Sequence, residues 1–285
     1  MYKRQLLGLT TTTATKVSAL VAVIGLILTQ LMFVTVLPAL ARGDIGPGAE
    51  ALGADLPVLD LTSPAAQLDA INPLGASMGG GSIGIALLAI VLLGTLAGTS
   101  DDRYGGMVGA ALASPRRGRI VAGKAMAVAV VGVVIGALMA VVSLAALLVA
   151  LATTATPFTA GVGDVVATLG RGVVAVAGLA LIGLAVGILV RTQLAGILTM
   201  LAVLFAEPLV TAMTSLIGGG SAPVWTQFLP VALAQNVIHG GSAGVPVGVA
   251  LAALAALSAA ALAAASVALS LSLIHISEPT RLRRI

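Results

Sequence analysis

Six blocks of nearly uninterrupted apolar residues divide this chain, and they limit its folds before any motif is considered. They run Val17–Leu40, Ser82–Thr99, Val121–Ala152, Val173–Val190, Leu194–Leu216 and Val245–Ser270. A hydrocarbon layer about 30 Å thick is crossed by roughly 20 apolar residues in a helix, so each block has about the length of a membrane span. The apolar residues are consecutive instead of alternating, which argues against a lipid-facing β-barrel. A lone apolar segment in lipid must satisfy its own backbone, and a helix does this. Charged residues are 8% of the chain, against roughly 25% in a soluble domain, too few to cover a soluble surface. The predicted fold class is an all-α integral membrane protein, a bundle of about six transmembrane helices.

The connecting segments orient the bundle. Between the first two blocks, about 42–80, Asp44, Glu50, Asp55, Asp60 and Asp69 oppose the single cation Arg42, and Pro47, Pro57, Pro64 and Pro73 break up the segment. The next connector, about 100–124, is the reverse, with Arg103, Arg116, Arg117, Arg119 and Lys124 against Asp101 and Asp102. Cytoplasmic loops collect Lys and Arg, so the connector is expected inside, the acidic loop outside, Arg191 inside, and both authentic termini inside. The same bias explains the net charge of +4 without nucleic acid as a partner. Ala39-Leu40-Ala41 after the first block has the pattern of a signal-peptidase site. That block is longer than a secretory core of about 7–15 residues, and we read it as an uncleaved anchor.

Chemistry-bearing residues are sparse. Cysteine is absent, which removes disulfides, thiolate metal sites and a cysteine nucleophile. No G-x-x-x-x-G-K-[ST] loop holds a nucleotide, Gly123-Lys124 being followed by Ala125. No catalytic residue, metal site or cofactor is predicted, and the chain is not expected to be an enzyme. Glu207 is the one acidic residue within an apolar block, and intramembrane ionisable groups are functional suspects. It stands sixteen positions after Arg191, about 24 Å along a helix, near the outer boundary. There, with Pro208, it is expected to hold the end of the span. Trp225, Gln227 and Phe228, between Pro223 and Pro230, read as a short interfacial element, Trp being an anchor at that depth. His239 reads as a lone imidazole in a glycine-rich loop. Gly94/Gly98, Gly132/Gly136 and Gly183/Gly187 sit four apart within spans, a spacing that lets helices approach closely. The partner helices are not readable.

Residues Leu271 to Arg281 resemble a translated sequencing adapter, and Met1 to Gln5 resemble the complementary strand. Segments 1–5 and 271–285 are accordingly expected to be artefact, His275 included, leaving a membrane domain of 6–270. The order of landmarks within it resembles the permeases of ATP-binding-cassette exporters of the second class (ABC type 2), particularly those of high-GC bacteria. The landmarks are Asp101-Asp102-Arg103-Tyr104-Gly105-Gly106, Ser114-Pro115-Arg116-Arg117-Gly118-Arg119 and Lys124. They continue with Arg191-Thr192-Gln193, Glu207-Pro208-Leu209 and Phe228-Leu229-Pro230. Asp102 stands where the family usually has an aromatic residue and Gly106 where it usually has Thr.

This resemblance implies an export permease in the bacterial plasma membrane. Its partners would be a separate cytosolic ATPase, a second permease copy or paralogue, and membrane lipid. It further implies that Asp101, Arg103, Tyr104, Gly105, Arg116, Arg117, Arg119 and Lys124 form the ATPase-coupling segment. An elbow helix ahead of the first span is expected to be missing, lost to the adapter-like residues. A non-transporting membrane scaffold or assembly factor and an ion-driven secondary transporter stay open as alternatives.

Overall fold

The computed structural model describes residues 2–46, 60–75, 84–104, 117–241 and 245–271. Every regular element among them is helical. In order they are α1 (Tyr2–Thr11), α2 (Thr13–Gln30), a π-helical turn Leu31–Val36, α3 (Leu37–Arg42), α4 (Pro64–Ala70), α5 (Ile85–Tyr104) and α6 (Arg117–Thr154). They continue with α7 (Val162–Val190), α8 (Gln193–Ile217), a 3₁₀ turn Val224–Phe228, α9 (Pro230–His239) and α10 (Val247–Leu271).

Five helical stretches are long and apolar enough to cross a membrane: Thr13–Leu40, Gly118–Thr154, Val162–Val190, Gln193–Ile217 and Val247–Leu271. In α5 the apolar part is Ile85–Ser100, about 24 Å at 1.5 Å per residue, short of a hydrocarbon layer of about 30 Å. Residues 76–83, which contain the start of the predicted second block, lie outside the described residues. One expectation is corrected. The fourth helix begins at Val162, not Val173: Asp164 and Arg171 interrupt the apolar pattern but not the helix. Asp164 suits a first turn because an acid there meets the positive end of the helix dipole. Ahead of the first span α1, which includes the adapter-like residues Tyr2–Gln5, packs on α6. Leu9 supplies its buried contact.

Pro38 explains the π turn. A proline inside a helix lacks an N–H and its ring clashes with the carbonyl four residues back, here Val34. A wider turn over Leu31–Val36 accommodates that defect.

The core is built around α7. Some 61% of its spanning window is buried inside the protein, against 22% for α8 and 17% for α10, whose apolar surfaces face outward. The glycine pairs explain why α7 is central. A methyl group at Gly94 would overlap the Ala180 carbonyl, and one at Gly183 the Val91 carbonyl. One turn along, a methyl at Gly98 would sit 2.6 Å from the Leu184 oxygen and one at Gly187 would overlap the Thr95 oxygen. Gly94/Gly98 of α5 therefore cross Gly183/Gly187 of α7 backbone to backbone, which only residues without a Cβ permit. On another side Gly132 and Gly136 of α6 would place a methyl 3.0 Å from Ala177 Cα and 3.1 Å from Val173 Cα. Lipid provides no hydrophobic drive for helices to associate, so this close packing is what holds the bundle together.

Candidate functional site

The polar groups gather at the two ends of the bundle. At the connector end α5 runs on through Asp101, Arg103 and Tyr104, and α6 opens at Arg117. Gly105 and Arg116 lie outside the described residues. Arg119 is exposed in the first turn of α6. Lys124 is 6% exposed, and its Nζ donates to the Ala97 carbonyl of α5 at 3.0 Å. That bond ties the two helices together one to two turns inside the connector. Beside it a cavity of about 230 Å³ opens between α1, α5 and α6, lined by Gly8, Thr12, Thr15, Thr99, Ser100 and Lys124. Nearby, Arg191 adopts a left-handed conformation (φ 65°) at the end of α7. Its Nη2 donates to the Ala268 carbonyl at 3.3 Å, a cation meeting the negative end of α10.

At the opposite end Glu207 has a definite task. Helix α9 starts at Leu229-Pro230, and Leu229 stands at the N-cap with no side-chain acceptor. The first N–H groups of a helix lack intrahelical partners, and Pro230 contributes none. Glu207, 7% exposed, reaches from α8 and accepts from Val231 N at 3.0 Å and Ala232 N at 2.6 Å. It is an N-cap supplied by a distant helix, strengthened by its charge. Pro208 follows inside α8. Trp225 and Phe228 on the 3₁₀ turn are exposed. Asn236 Nδ2 donates to Gln227 O and Oε1, each at 3.1 Å, and holds that turn against α9.

Sequence reasoning missed the third feature. Residues 60–75, with α4 at their centre, lie across the same end as a strap fastened by buried amides. Gln67 uses its full amide valence: Nε2 donates to Leu61 O (2.8 Å) and Pro157 O (2.9 Å), while Oε1 accepts from Thr159 N (2.9 Å) and Ala160 N (3.0 Å). Gln30 Nε2 of α2 donates to Ala70 O at 2.8 Å. Asn72 Nδ2 donates to Gln235 Oε1 of α9 at 2.7 Å, and its Oδ1 accepts from Leu74 N at 2.9 Å. Ser143 Oγ of α6 donates to Asn72 O at 3.3 Å. Pro73 seats on Gly172, where an added methyl would lie 2.5 Å from its Cγ.

His239, read from sequence as a lone imidazole, ends α9 with Nε2 3.5 Å from Asp69 Oδ1 of the strap. The Arg171 guanidinium lies against the following turn, where a methyl on Gly240 would meet Nη1 at 2.7 Å. Arg171 Nη2 donates to Thr168 Oγ1 at 3.1 Å, whereas its buried Nε has no partner. Burial is the main cause holding the imidazole pKa below its usual value; Asp69 opposes that shift and Arg171 adds to it. The one available signal was Arg171 itself, a cation interrupting an apolar helix. Nothing local links positions 69, 171 and 239.

No family model, curated protein or solved structure matches this chain. Among the described residues no group of three His, Asp or Glu side chains converges as a metal site would require.

Proposed function

We propose that this chain is the membrane-spanning permease subunit of an ATP-binding-cassette exporter, powered by a separate cytosolic ATPase. In this reading six helices cross a bacterial plasma membrane, both termini and the basic connector are cytosolic, and the strap is extracellular. A second copy or paralogue completes the translocation path. Support comes from the order of sequence landmarks and from the positive-inside bias of the connector.

The observation that carries the proposal is mechanical continuity from the connector to the core. Helix α5 leads out of the connector and crosses α7 glycine to glycine, and Lys124 binds α6 to α5 where both leave the bundle. Force applied at the connector would reach the central helix through packed backbone, without a compliant side-chain layer between. Arginines on the connector suit bidentate pairing with carboxylates of a partner.

The test is co-expression with the ATPase encoded by the neighbouring reading frame. The two should co-purify, and Arg116→Glu with Arg119→Glu should lower permease-stimulated ATP hydrolysis while leaving the permease folded. An absent phosphate-binding loop in the neighbouring frames, or stimulation unchanged by the charge reversals, would count against the coupling role. Impermeant labelling of residues 116–119 from the cell exterior would overturn the orientation.

A further inference from the structure

We propose that Asp69, His239 and Arg171 form a proton-binding site that controls whether the 60–75 strap stays fastened over its end of the bundle, acid releasing it. The inference does not require the chain to be a transporter.

Its first support is geometric. The strap is joined to α2, α6, the loop ahead of α7 and α9 by hydrogen bonds from a few side chains, Gln30, Gln67, Asn72 and Ser143, and it buries Leu61, Ala70, Ile71 and Leu74 against the helices. Such a segment can lift as a unit when one fastening weakens, because the helices beneath are held by their own glycine crossings. One fastening is ionisable: His239 of α9 meets Asp69 of the strap at 3.5 Å. The charged groups facing His239 among the described residues are Asp69 from the strap and Arg171 from α7. Glu207, from α8, is at the far end of α9, occupied by Val231 and Ala232. Neither the 3₁₀ turn nor α10 presents a charge.

The direction follows from comparing fastened and lifted states. Under the strap, the imidazole is largely but not wholly covered, its side chain 21% exposed, and next to a guanidinium, and both effects disfavour its charged form; Asp69 offsets them only in part. Lifting the strap admits water, which relieves the burial and screens Arg171, so the imidazole moves toward its ordinary pKa near 6.5. The lifted state then binds the proton more readily, so by linkage a fall in pH favours lifting. Below both pKa values the lifted-to-fastened ratio rises about tenfold for each unit that separates them. The partnerless Arg171 Nε is consistent with a guanidinium kept there for its charge.

The chain has no cysteine, so two introduced cysteines label cleanly. Spin labels at Ala65→Cys on the strap and Ser221→Cys beyond α8, both exposed positions, report their separation by pulsed electron resonance in the full chain in lipid nanodiscs. From about pH 7.5 to about pH 5 the distance distribution should gain a longer population, reversibly. His239→Gln should abolish the gain while keeping the neutral-pH distribution. An unresponsive parent, or an acid response surviving intact in His239→Gln, would overturn the proposal. Should His239→Gln alter the neutral-pH distribution, Arg171→Gln decides. Removing that cation brings the fastened-state pKa closer to the ordinary one, so the acid gain must shrink; an undiminished gain overturns the site.

Discussion

Replacing Glu207 tests whether this buried carboxylate is an architectural cap or a handler of protons or substrate. Glu207→Ala removes the acceptor of two N–H groups held at 3.0 and 2.6 Å. Losing an N-cap costs about 0.5–2 kcal/mol, and a buried donor left unmade costs about 1–3 kcal/mol. The two donors share one carboxylate and the figures overlap, so the variant should lose about 2–4 kcal/mol. Glu207→Gln keeps an acceptor oxygen but loses the charge, and about half of that loss is expected. The decisive variant adds a local cap. Leu229 is at the N-cap of α9 with extended backbone angles, φ −65° and ψ 149°, from which a serine or aspartate side chain reaches the same N–H groups. Leu229→Ser in the Glu207→Ala background should therefore recover about 1 kcal/mol. The assay is equilibrium unfolding in mixed micelles, followed by the fluorescence of Trp225, the single tryptophan, four residues before the cap. Failure of Leu229→Ser to recover any stability, or an unchanged Glu207→Ala transition, would refute the capping argument.

Further outcomes follow from the same contacts. Gly183→Val should destabilise the bundle by about 1–3 kcal/mol through overpacking against α5, read in the same unfolding assay. Gly123→Ala in α6, with open space around it, should instead stabilise by about 0.5–1 kcal/mol. Asn72→Leu removes bonds to Gln235 and Leu74 and should cost about 1–3 kcal/mol, visible as faster proteolysis of the strap. The depressed His239 pKa means that the unfolded chain binds more protons between the folded value and about 6.5. Stability should therefore decline as pH drops through that window, and the decline should flatten in His239→Gln.

The helices were legible because burial in lipid demands long apolar runs, a constraint that acts residue by residue along the chain. Glu207 was legible as an oddity for the same reason. Its partner was not, because the demand comes from Leu229, a position unremarkable except for what it fails to supply. The glycine pairs were visible but unassigned: spacing identifies a smooth helix face without saying which helix meets it. The strap was hidden most deeply. Gln30, Gln67, Asn72 and Ser143 are ordinary residues in sequence, and their meaning arises from carbonyls far along the chain. The start of α7 was misplaced because Arg171 looked like a boundary. A charge ends a membrane span only when nothing in the protein receives it, and here Thr168 and the turn after His239 lie beside it.

The two ends of the bundle therefore differ in how they resist change. At the connector end α5 and α6 are tied by an ammonium–carbonyl bond and backed by glycine contacts that tolerate almost no displacement. At the strap end a carboxylate on α8 caps α9, which also buries Leu233, Val237 and Ile238, and the strap adds a few amide bonds to buried Leu61, Ala70 and Ile71. Packed backbone resists deformation steeply, because overlap energies rise sharply over fractions of an ångström. A handful of hydrogen bonds, each with a net worth of about 1 kcal/mol, can be exchanged for water. The glycine crossing of α5 and α7 is therefore the stiffest contact described, and the amide and capping bonds of the strap end are the ones most readily exchanged.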